Sequence, residues 1–104
     1  MKPQPREAAS FEVLGGERSR IIGGIEFATV TALLPVGRDA ILAGQASVID
    51  LSGVTGADSA GLALLIEWLS IAKDARRAVS YENVPSQVHQ LADLSDVEEM
   101  IAPA

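Results

Sequence analysis

One stretch, residues 46–75, constrains the fold most, because it holds a strand, a loop and a long helix in succession. Residues 46–51 (ASVIDL) are β-branched at the centre and flanked by polar residues and glycine, which predicts a buried central strand. Residues 52–57 (SGVTGA) predict a loop, and Asp58 or Ser59 stands at a helix N-cap position. Another strand over residues 78–82 should then lie parallel to the first.

The rest of the chain supplies partners for these elements. Residues 11–14 and 20–23 are candidate strands of a hairpin. A helix is predicted over residues 27–43, kinked or restarted near Pro35. Two helices follow the last strand, over residues 86–94 and from about Ser95 to Ile101, the first with Val88, Leu91 and Leu94 on its apolar face. The order predicts an α/β fold with a mixed sheet.

The length and charge of the chain exclude several classes of function. A chain of 104 residues predicts one domain, assigned to residues 11–104 after a disordered tail over residues 1–10. Eight basic against fourteen acidic residues give a net charge of −6, which argues against nucleic acid and against a basic contact with anionic lipid. No run of about 18 apolar residues predicts membrane insertion. We therefore expect a cytoplasmic protein.

Ser59 is the residue with the most alternative roles. It can cap the helix, as can Asp58, at a benefit of about 1 kcal/mol. Catalysis by Ser59 is disfavoured, since the single histidine, His89, lies thirty residues downstream and no nucleophile-elbow sequence is present. A third reading is a phosphorylation switch, because a phosphate there would meet unpaired helix amides. Because the sequence offers no catalytic acid–base pair, no phosphate-binding loop and no cluster of metal ligands, we expect no enzyme activity, no cofactor and no metal site.

The helix after Ser59 has two apolar stripes. One contains Leu62, Leu65, Ile66, Leu69 and Ala72 and is predicted to face the core. The other contains Leu64, Trp68 and Ile71, and it is either covered by the same chain or docks on a partner. We favour docking, since tryptophan is enriched at interface hot spots. The predicted partner-binding residues are Ala60, Leu64, Glu67, Trp68 and Ile71, and Ser59 and Asp58 are the predicted switch or interface residues.

The stretch VIDLSGVTGADSAGLALL (residues 48–65) closely resembles the signature of STAS domains. In that family a buried strand ends in Asp-Leu and a loop leads to Asp-Ser/Thr-x-Gly-Leu at a helix start. The likeness extends upstream to GIEFATV (residues 24–30) and downstream to the helix after Pro85. The resemblance implies a mixed four-stranded sheet, with five strands as the alternative, and helices mainly on one face.

Within the family the chain is most similar to the MlaB type, on Ala60 before Gly61, GLALLIEWLSIAK (residues 61–73) and VHQLADL (residues 88–94). This implies a non-catalytic cytoplasmic subunit, held at the inner membrane through its complex. It would bind the ATPase of an ABC transporter that moves phospholipid and maintains outer-membrane lipid asymmetry. The alternative is an anti-anti-sigma factor that binds a kinase-type anti-sigma factor and is switched at Ser59. That group usually has serine where this chain has Ala60.

Overall fold

The computed structural model describes residues 9–101, which follow the predicted order of strands and helices. The strands are β1 (Ser10–Gly15), β2 (Arg18–Ile25), β3 (Val48–Ala57) and β4 (Ser80–Glu82), and the helices are α1 (Phe27–Leu42), α2 (Ser59–Asp74), α3 (Ser86–Leu94) and α4 (Glu98–Ile101). The predicted tail lies outside the described residues except at its end, where Ser10 already belongs to β1.

The four strands form one mixed sheet in the order β1-β2-β3-β4. β1 is antiparallel to β2, whereas β3 is parallel to both of its neighbours, as predicted for β3 and β4. Alternate residues of the central strands, such as Ile21 and Ile49, are fully buried beneath the helices. The α/β architecture with helices mainly on one sheet face is thus confirmed.

β3 is longer than the sequence predicts, because the presumed loop over residues 52–57 continues the strand. Its glycine-containing end pairs with the glycine-containing end of β2, where Gly24 lies opposite Gly56. The register shifts twice along this pairing, which bends the strands locally. A Cβ at Gly53 would come within 2.9 Å of the Ile21 carbonyl oxygen, so glycine permits the close approach here.

Two helices also differ from their predictions. α1 does not restart at Pro35, which lies inside an uninterrupted helix. In α3 the predicted apolar face is confirmed for Val88, which is buried, and for Leu91, which packs partly buried against the core, but Leu94 is 85% exposed. Ala92, which the prediction did not include, is buried beside Val88.

The largest correction concerns α2, whose second apolar stripe is covered by the chain itself. Leu64 and Trp68 are both buried, and the Trp68 indole N–H donates to the Leu34 carbonyl of α1 at 3.1 Å. The ring lies against Gly37, where any Cβ would overlap it. The prediction that Leu64 and Trp68 form an exposed stripe is therefore wrong, because α1 packs along this side of α2. Ile71 is half-buried against the same core.

The outer face of the sheet carries ion pairs. Arg20 donates to Glu12 at 2.7 Å, and Arg18 pairs with Glu82 on the same face. All four side chains are between 40% and 46% exposed, so they are solvated and add little stability. This paired, charged surface is a poor candidate for apolar docking.

Candidate functional site: the groove between two helix N-termini

The N-terminal ends of α1 and α2 lie side by side at the carboxyl ends of β2 and β3. Gly61 allows this arrangement, because a Cβ at that position would collide with the Ile25 carbonyl oxygen. The Asp58 amide also points to the Ile25 carbonyl, at 3.4 Å. The start of α2 is thus held against the junction between β2 and α1.

The Asp58 carboxylate contacts both helices. Its Oδ1 accepts from the Gly61 amide at 3.0 Å, which confirms Asp58 as the N-cap of α2. Its Oδ2 accepts from the Phe27 amide at the start of α1, also at 3.0 Å. The hydrogen bond from Phe27 has the largest effect on the Asp58 pKa and, with that from Gly61, holds it below its usual value against the opposing effect of desolvation. Asp58 is therefore ionised at neutral pH.

A groove of about 500 Å³ runs between α1 and α2 from this end of the molecule, and we call it the α1–α2 groove. Each helix contributes residues at spacings of three and four, so one face of each helix lines it. The lining residues are Phe27, Val30, Thr31, Leu34, Ala60, Ala63, Leu64 and Glu67. Most of this lining is apolar, and Glu67 is the single charged residue among the described residues that form it.

The structure brings together some of the predicted site residues and separates others. Ala60 and Glu67 line the groove, and Leu64 lines it while remaining 4% exposed. Ser59 is exposed as the first residue of α2, beside this surface. Trp68 is fully buried and does not reach the surface. The roles assigned to Ser59, Ala60 and Glu67 remain predictions.

Phe27 is the site residue that the sequence analysis missed. It is the first residue of α1 and is 81% exposed, which is unusual for a large aromatic side chain. The sequence places it at the start of a crowded apolar run, where helical periodicity does not distinguish core from surface. One available signal was its position directly after the N-cap residue, since first-turn side chains often lie at the surface.

Residues 9–101 contain neither a cluster of metal ligands nor a membrane-spanning helix. Within residues 9–101, no three histidine or carboxylate side chains are grouped closely enough to hold a metal ion. Among the helices described, none has the length and hydropathy required to cross a bilayer.

Comparison with known proteins identifies the family. The family model described as "Mlab, STAS domain" matches residues 19–102. The unphosphorylated form of the anti-sigma factor antagonist SpoIIAA is similar in structure, with a TM-score of 0.69 and 18% identity over 93% of this chain and 88% of that one. The phosphorylated form of SpoIIAA, a Bacillus cell fate determinant, is also similar in structure, with a TM-score of 0.66 and 17% identity over 93% of this chain and 91% of that one. No curated protein matches significantly. The chain belongs to the Mlab-type STAS domain family.

Proposed function

We propose that this protein is a non-catalytic STAS subunit that binds the ATPase of a phospholipid-moving ABC transporter and supports its assembly and activity. STAS domains are generally regulatory or binding domains. The Mlab-type family match supports the choice of partner. In this proposal the protein is cytoplasmic, and it reaches the inner membrane through the transporter complex, whose work maintains outer-membrane lipid asymmetry.

The observation that carries the proposal is the exposed apolar surface beside Ser59. Phe27 is the most exposed aromatic side chain described, and it borders a groove lined mainly by aliphatic side chains and alanine. Two parallel sets of side chains at helical spacing suit the apolar face of a partner helix. Glu67 at the edge would favour a basic residue on that partner.

Replacing Phe27 with alanine should weaken the complex without weakening the fold. We expect binding to lose about 2 kcal/mol or more, as for an aromatic hot spot. The free energy of unfolding should change by no more than about 0.5 kcal/mol, since the side chain is mostly exposed. Isothermal titration with the purified ATPase subunit and denaturant melts of the free domain give the two quantities.

Leu94 provides the matched control, because it is an equally exposed apolar residue on α3. Leu94→Ala should leave ATPase affinity unchanged. If both variants lost the same affinity for the ATPase, or if neither lost any, the groove would be refuted as the docking surface. Binding of the wild type to a kinase-type anti-sigma factor, and not to the ATPase, would favour the anti-anti-sigma alternative.

A charge at Ser59 should also weaken the complex. The Ser59→Glu side chain would lie beside the ionised Asp58 and would have to be desolvated against an apolar partner. We expect the dissociation constant to rise roughly tenfold or more. Folding should survive, since negative charge is favoured in the first turn of a helix. Ser59→Ala should bind like the wild type, and equal affinity for the Glu variant would place Ser59 outside the interface.

A further inference from the structure

Asp58 makes one more hydrogen bond than a helix cap requires. The bond from the Gly61 amide to Oδ1 satisfies the start of α2. The bond from the Phe27 amide to Oδ2 reaches across thirty-one residues of sequence to another helix. The cap of α2 does not need this second contact.

The start of α1 depends on that contact. The N-cap residue of α1, Glu26, forms a capping box with Thr29, and the Phe27 amide takes no part in it. The Glu26 amide donates to the Thr29 hydroxyl at 3.0 Å, which leaves the Phe27 amide to the Asp58 carboxylate. An unpaired amide at a helix start needs an acceptor, and Asp58 supplies it from α2.

We propose that Asp58 is a positioning residue whose carboxylate ties the start of α1 to the start of α2 and so holds Phe27 at the edge of the α1–α2 groove. This inference rests on the proposed function for its consequence, namely that Phe27 contacts the ATPase. The tie itself, which is the hydrogen bond from the Phe27 amide to the Asp58 carboxylate, is present in the free domain. Asp58 thus acts on the partner through Phe27 and makes no contact of its own that the complex needs.

Substitution by serine separates the two hydrogen bonds. Serine is about as good an N-cap as aspartate, so Asp58→Ser should retain the bond from Gly61. Its side chain is shorter and has one oxygen, so the Phe27 amide loses its acceptor. Asp58→Ala removes both bonds and serves as the control for loss of the cap.

Hydrogen exchange of the free domain, followed by NMR, tests the tie without any partner. In Asp58→Ser we expect the Phe27 amide to exchange roughly tenfold faster, while the Gly61 amide stays close to its wild-type rate. In Asp58→Ala both amides should exchange faster. Unchanged exchange at Phe27 in Asp58→Ser would overturn the proposal.

A double-mutant cycle tests the consequence for binding. We expect Asp58→Ser to raise the dissociation constant for the ATPase roughly tenfold in the wild-type background. It should have little further effect once Phe27 is alanine, because the two residues act as one unit. An equal loss in both backgrounds would overturn the positioning role. If the wild type does not bind the ATPase, the proposed function fails, and the exchange experiment alone decides whether the tie exists.

Discussion

Trp68→Ala should cost the free domain about 3–5 kcal/mol of its free energy of unfolding, the usual penalty for emptying a large core site. The ring is fully buried, packs edge-to-face on Phe11 with ring centroids 5.5 Å apart, and donates to the Leu34 carbonyl. A domain of this size has little more than that to lose. The variant should therefore unfold at a much lower denaturant concentration than the wild type.

The melts must be followed by far-UV circular dichroism, since Trp68 is the single tryptophan. Glu67→Ala is the matched control, because the neighbouring side chain is exposed and its loss should change stability by no more than about 0.5 kcal/mol. A Trp68→Ala midpoint close to that of the control would mean that α1 does not cover this side of α2.

Gly61→Ala should destabilise the domain by about 3 kcal/mol, at the upper end of the range for overpacking. The added Cβ would meet the carbonyl oxygen of Ile25, a backbone atom that cannot move without disturbing the end of β2. Helix propensity alone predicts the opposite sign, a gain of about 1 kcal/mol. The sign of the change in the free energy of unfolding, measured in denaturant melts, therefore decides between overpacking and helix propensity as the dominant effect.

Ala63→Gly controls for propensity, since residue 63 is exposed two positions further along the same helix. That change should cost about 1 kcal/mol and no more. A Gly61→Ala variant more stable than the wild type would contradict the close approach of α2 to β2, on which the position of Asp58 depends.

Residue preferences at helix starts and the periodicity of apolar residues were enough to predict several elements of the fold. The N-cap at Asp58 follows from residue preference just before an apolar-periodic run, and α2 begins and ends close to its predicted bounds. The parallel pairing of β3 with β4 follows from the helix between them. The cap and the helix depend on residues near each other in sequence, and the strand pairing depends on the general handedness of a strand–helix–strand connection.

The missed features depend on contacts between distant residues. Trp68 was assigned to a partner surface because its burial depends on Gly37 in another helix, which leaves room for the ring. Residues 52–57 resembled a loop, yet they extend β3 because β2 ends in matching glycines. The second bond of Asp58 likewise depends on how two helix starts meet.

Under the proposed function, we expect the ATPase to dock on the α1–α2 groove. A map of backbone amide chemical shifts for the isotope-labelled domain, alone and with the unlabelled ATPase subunit, tests it most directly. We predict that the largest changes fall on Phe27, Thr31, Ala60, Ala63 and Glu67, and that Arg18 and Arg20 on the outer face of the sheet remain unchanged. Changes centred on that outer face or on α3 and α4, with the groove unaffected, would contradict the claim.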